Sequence, residues 1–123
     1  MRKTSSFIIF AFLLLTNSLS AQMETPKKPE AYKFAEFGPT NVAKIAAKMK
    51  AFDDELNGNP TAQGYIINYG SATAIKTRRR LLTDGIFYRK YDTERMTWID
   101  GPYEKRIRTV MWIVPEGAET PIP

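Results

Sequence analysis

Between residues 42 and 56 the apolar positions recur every three or four residues. Val42, Ile45, Met49, Phe52 and Leu56 form one stripe, with Lys44, Lys48, Lys50, Asp54 and Glu55 off it. That period predicts an amphipathic helix. Pro39, Thr40 and Asn41 supply a start signal. "NGNP" (57–60) supplies the stop, because Gly58 accepts the left-handed conformation and Pro60 cannot continue a helix. The period then changes to two. In "AQGYIINYG" (62–70) Tyr65, Ile67 and Tyr69 face one way, and Ile66 and Asn68 the other. Apolar residues on both faces predict a central strand covered on at least one side. From about Ala72 to Tyr88 the spacing of Ile75, Leu82 and Ile86 predicts a second helix. Gly85 within it costs about 1 kcal/mol relative to alanine, so fraying or a break is expected there.

Three further segments alternate. "YKFAEFG" (32–38) is a short first strand carrying Tyr32, Phe34 and, after a break, Phe37. "RMTWID" (95–100) is a third strand, and "IRTVMWIVP" (107–115) is a strongly β-prone fourth. In the fourth, Ile107, Thr109, Met111 and Ile113 face opposite to Val110, Trp112 and Val114. The turn-rich "GPYEKR" (101–106) suits a hairpin between the last two strands. The order is β-α-β-α-β-β. Both helices can then bury their stripes on one face of a four-stranded mixed sheet, a two-layer α+β sandwich.

The ends have another character. Arg2 and Lys3 precede "FIIFAFLLL" (7–15), an apolar run too short to span a bilayer comfortably, and "NSLSA" (17–21) follows with small residues. Residues 1–21 therefore read as a signal peptide cleaved after Ala21, with Ser20 as the competing position, and the protein is expected to be exported to the periplasm or beyond. Membrane contact is expected only through an uncleaved signal peptide. Residues 22–31, polar with two prolines, form a flexible lead-in. The domain runs over 32–118, and 119–123 is a tail.

Composition narrows the chemistry. There is no cysteine and no histidine among the 123 residues. Disulfides, thiolate or imidazole metal ligands, a thiol nucleophile and an imidazole base are thereby excluded. The carboxylates of "DDE" (53–55) sit on consecutive helical residues and splay apart, and no calcium-loop pattern occurs. No catalytic residue, metal or cofactor is expected, nor an enzyme. The net charge of +5 includes two basic residues of the signal peptide, which holds no acid, so the mature chain carries +3. That is ordinary for a secreted domain and does not point to a polyanion binder.

"GYIINYG" (64–70), "TRRRLL" (77–82) and "YDTERMTWIDG" (91–101) together resemble the outer-membrane protein A-like (OmpA-like) domain of the bacterial cell envelope. The first matches the strand leading to that family's ligand loop. The second matches the "RRA" stretch of its second helix. In the third, Arg95 and Met96 stand at the entry to the third strand. A secreted branch with "GYIIVYGG" and "VELWIVPPGA" strands is closer still, since "TVMWIVPEGA" (109–118) matches the latter. The likeness spans about Tyr32 to Ala118. It implies peptidoglycan binding, with an aspartate and an arginine gripping the zwitterionic diaminopimelate of the peptide stem. Counting back from Arg95 puts the family arginine on Arg78, or on Arg79 if the loop differs by one residue. The aspartate is missing. Where the family has "GHTD", this chain has Asn68, Tyr69 and Gly70, then "SATAIK" (71–76) without an acid, in a shorter loop.

Arg78, Arg79, Asn68 and Tyr69 are thus the candidate ligand-binding residues. Successive helical residues sit about 100° apart, so Arg78, Arg79 and Arg80 cannot share a face. A solvated basic face is the plainer reading of such a run, with one inherited anion-binding position within it. Tyr65, Tyr69, Trp98 and Trp112 could form a stacking platform, or serve as packing at period-two positions. Export argues against nucleic acid, and no aromatic RNA-binding motif is present. The expected function is an exported envelope binding module, a degenerate peptidoglycan-associating domain. The alternative is a secreted protein–protein interaction domain pairing through a sheet edge or the Trp112-bearing strand, without peptidoglycan binding. A purely structural domain without a ligand is the third reading.

Overall fold

The computed structural model describes residues 27–84 and 88–123. The signal-peptide reading of residues 1–21, half of the lead-in, and Gly85 and Ile86 lie outside the described residues. The elements are β1 (Tyr32–Phe37), α1 (Val42–Asn57), β2 (Gln63–Tyr69), α2 (Ala72–Thr83), β3 (Met96–Asp100) and β4 (Arg108–Val114). Single 3-10 turns at Tyr88–Lys90 and Thr93–Arg95 lead into β3. The four strands form one mixed sheet in the order β1-β4-β2-β3, with both helices on one face. This is the two-layer α+β architecture that the hydrophobic pattern predicts. Among the described residues no helix is long and apolar enough to cross a membrane.

The hairpin expected between the last two strands does not form. β3 pairs parallel with β2, while β4 lies antiparallel between β1 and β2. Burial explains the arrangement. β4 is buried along most of its length, whereas β3 exposes Thr97 and Asp100. The more apolar strand takes the slot where both of its backbone edges are paired, and the shorter, more polar one takes the rim. β4 therefore offers no free edge for the strand addition considered for the Trp112-bearing segment. The edges of the sheet are β1, which carries a bulge between Lys33 and Ala35, and β3.

α1 begins where expected. The Asn41 side chain accepts from the Lys44 N–H at 2.9 Å, and the helix runs to Asn57. Ile45, Met49, Phe52 and Leu56 of the stripe are buried, but Val42, in the first turn, is exposed. α2 stops at Thr83, five residues before the predicted end, with the Asp84 N–H closing on the Arg80 carbonyl at 2.7 Å.

The core is one layer deep. The α1 stripe packs on Ile66 of β2, Met96 of β3 and Met111 and Ile113 of β4, with Leu82 of α2 closing one side. Gly64 lets α1 approach β2, because a Cβ there would stand 2.6 Å from the Phe52 ring. Strand register orders this face into rows. Gly64, Ile113 and Met96 form the first, and Ile66, Met111 and Trp98 the second. The third row changes character: Asn68, Thr109 and Asp100, with Phe37 beside Thr109.

Candidate functional site

That third row lies beneath the arginine run. Ser71 caps α2 by accepting from the Ala74 N–H at 3.1 Å. Gly70, at φ +154°, makes the turn from β2, and a Cβ there would also press Ile107 and Ala74. The connection is too tight to carry a ligand loop. On α2, Arg78 follows Ile75 by three residues and precedes Leu82 by four. It therefore shares their inward stripe, and all three are buried. The wet-face reading of "TRRRLL" is corrected at this position. It holds for Arg80, which is exposed, and in part for Arg79.

Arg78 is only 4% exposed. Its Nη1 donates to Thr109 Oγ1 at 2.7 Å and its Nη2 to the Gly38 carbonyl at 2.8 Å. The guanidinium carbon stands 5.0 Å from the centre of the Phe37 ring. Thr109 Oγ1 passes the chain on by donating to Asn68 Oδ1 at 2.7 Å. The Asn68 side chain is fully buried, and its Nδ2 has no partner. Every group in this chain is neutral except Arg78. Among the described residues no carboxylate pairs with it, and burial alone pulls its pKa below the usual value. It remains a cation, since a guanidinium does not lose its proton in a protein.

A groove of about 290 Å³ opens beside this cation. Pro39 and Thr40 before α1, Ile45 within it, and Thr77, Arg78 and Leu81 of α2 line it. The first turn of α1 holds no acidic residue, so no side-chain charge offsets the positive end of that 16-residue helix, which the neutral Asn41 caps. The groove thus combines apolar walls with a positive field. That combination can hold the acid group of a ligand with an aliphatic stem. Compared with known protein families, curated proteins and solved structures, the chain finds no match in any of the three.

The other candidates divide between two places. Arg79 sits at the sheet rim, where its Nη2 meets Asp100 Oδ1 at 2.8 Å and its guanidinium lies 5.8 Å from the Trp98 ring. An acid–guanidinium pair does exist on this face, but it belongs to Arg79 and comes from β3 rather than from the loop after β2. Asn68 is joined to Arg78 only through Thr109. Tyr69 is not joined to it at all: it lies on the opposite face of the sheet, with the Arg108 guanidinium 4.0 Å from its ring centre. Glu36 and Glu104 hold Arg108 there, and their hydrogen bonds to cations lower both carboxyl pKa values.

Sequence reasoning missed Thr109 and Gly38, the two partners of Arg78. A threonine in the otherwise aliphatic inward register of β4 was the available signal. The backbone carbonyl left none. Among the described residues no group of three or more acidic, histidine or cysteine side chains is placed to hold a metal ion.

Proposed function

We propose that the protein is an exported cell-envelope binding module, a divergent OmpA-like domain whose Arg78 groove takes a carboxylate of the peptidoglycan peptide stem. One observation carries the reading. Arg78 is a buried cation without an acid of its own, at an open groove beside a helix N-terminus. Burying an unpaired charge costs several kcal/mol, so a chain selected for stability alone has reason to place an apolar residue there. An external carboxylate supplies the missing counter-charge. The guanidinium has five donors, of which two are engaged within the fold, leaving capacity for that ligand. The element order and the strand motifs support the family resemblance, and the absent loop aspartate makes recognition of a carboxylate, rather than of a full zwitterion, the retained half.

Cosedimentation of the exported protein with purified sacculi tests this, using wild type, Arg78→Met and Arg78→Lys side by side. Wild type is expected to pellet and Arg78→Met to stay in the supernatant. Sacculi whose stem carboxylates are amidated should retain less wild-type protein. No pelleting, or pelleting that Arg78→Met leaves unchanged, overturns the reading. The interaction-module alternative, with β1 and β3 as its available edges, then takes its place.

A further inference from the structure

The Arg78 groove leaves part of the aromatic set unused. Trp98 belongs to the helix side, packed edge-on to Tyr88 with ring centres 6.3 Å apart. Tyr65 and Trp112 lie directly opposite each other on β2 and β4, on the face the helices do not cover. Both are half-buried, and neither is stacked on another ring among the described residues, where the ring pairs are Phe34–Phe52 and Tyr88–Trp98. A concave surface of about 550 Å³ adjoins Tyr65, at the opposite end of the strands from the polar row. That volume lies within the ordinary range for small-molecule sites, about 300–1,000 Å³.

Two hydrogen-bonded turns form its walls. Arg95 fixes the first: its Nη2 donates to the Asn59 carbonyl at 2.6 Å and to the Ala62 carbonyl at 2.8 Å, and its Nε reaches Ala62 at 3.2 Å. The second is the turn from Pro115 to Ala118, closed by the Ala118 N–H on the Pro115 carbonyl at 3.0 Å, with Gly117 at φ +83°. Tyr65, Pro60, Pro115, Thr61, Gln63 and Glu116 are among the residues that line the concave surface. Its one cation, Arg95, donates from Nε and Nη2 to backbone carbonyls, and its one anion is Glu116. The lining therefore mixes apolar residues with hydrogen-bonding residues of both polarities and carries no net charge.

From this placement we infer that the cleft between residues 59–62 and 115–118 is a binding site for a neutral saccharide chain, with Tyr65 as its stacking surface. A sugar presents apolar C–H faces to a ring and hydroxyls to amide, hydroxyl and carboxylate groups, which is the division found in this lining. The site lies on the other face of the sheet from Arg78 and stands independently of the peptidoglycan-stem reading.

Amide NMR titration of the exported protein tests it. The probes are an N-acetylglucosamine tetramer, a glucose tetramer and a proline-rich peptide, the last because proline-lined clefts also suit extended peptides. Shifts are expected for Thr61, Tyr65 and Glu116–Ala118 with at least one sugar, with a dissociation constant on the order of 1 mM or below. Tyr65→Leu should weaken this at least about tenfold, and Gln63→Ala should weaken it less. Arg78→Met should leave it unchanged, which separates this site from the stem carboxylate. The dispersed spectrum of each variant reports its folding in the same experiment. Absence of shifts at about 10 mM of either sugar, equal shifts in a folded Tyr65→Leu protein, or displacement of these amides by the peptide alone overturns the inference.

Discussion

Replacing Arg78 by methionine separates a functional cation from a structural one. The side chain is buried, engages Thr109 and Gly38, and faces no carboxylate. Removing the guanidinium deletes two hydrogen bonds from a charged donor, each worth about 1.5–3 kcal/mol. Thr109 keeps its bond to Asn68, so only the Gly38 carbonyl is left without its partner. Against that loss stands the desolvation of an unpaired cation, a penalty of several kcal/mol that methionine does not incur. Methionine also spans much of the arginine stem, so the space left behind is small. The two terms oppose each other at similar size. The stability of Arg78→Met is therefore expected to lie within about 2 kcal/mol of wild type. Arg78→Ala, which adds a cavity, should be lower by about 2–5 kcal/mol.

Urea unfolding followed by far-ultraviolet circular dichroism, with linear extrapolation, resolves a difference of this size. A loss above about 4 kcal/mol in Arg78→Met would mean that the hydrogen bonds outweigh the desolvation. Arg78 would then be a strut between α2, β4 and the β1–α1 link, and the case for a ligand at the groove would fail.

Two further predictions concern the scaffold. Gly64→Ala would place a Cβ 2.6 and 2.8 Å from Phe52 ring atoms and 3.0 Å from Leu56 Cδ1, both side chains being fully buried. It should destabilise the fold by about 1–3 kcal/mol, and an unchanged urea midpoint would refute the close α1–β2 contact. Asp53 is buried, and that burial, aided by Asp54 and Asp92, raises its pKa against the opposing pull of Asn57 and Arg95. A carboxyl whose folded pKa exceeds its unfolded value opposes folding when ionised, and the penalty is relieved as pH falls through the folded pKa. Asp53→Asn should therefore raise the urea midpoint at pH 7, and the gain should shrink as pH falls through the raised folded pKa towards the ordinary carboxylate value; a gain that grows in acid contradicts this.

The layer structure was legible because it rests on periodicity. The α1 stripe from Ile45 to Leu56 and the two-sided burial of β2 follow from apolar spacing, and both hold. Strand pairing was not legible in the same way. "RMTWID" and "IRTVMWIVP" are separated by a link that suits a hairpin as well as a crossing to the far side of β2, and only the comparative burial of the two strands decides between them. Charge hid the period twice. By residue type, Arg78 reads as the anion-binding position within "RRR" and the carboxylates of "DDE" splay apart, which places neither Arg78 nor Asp53 in the core. Yet each falls at a three- or four-residue step from buried neighbours: Ile75 and Leu82 for the first, Met49 and Leu56 for the second. The period carried the position, and the residue type obscured it.

The same contrast bears on function. Along the helix-covered face the rows run from Gly64, Ile113 and Met96, through Ile66, Met111 and Trp98, to Asn68, Thr109 and Asp100. The first two obey the rule that a two-layer core is apolar. The third breaks it on three strands at once, and α2 places Arg78 and Arg79 over the break. Arg79 has an acid across from it. Arg78 has only neutral partners, Thr109 and the Gly38 carbonyl, and the Asn68 amide beyond Thr109 has an Nδ2 without a partner. Local departures from consistent patterning concentrate where a fold gives up stability for a task. A uniform solvated face would have left this end of the core aliphatic and the arginines outside. A fixed cation set in an apolar-walled groove without a counter-charge among the described residues is the departure on which the proposed carboxylate-binding reading rests.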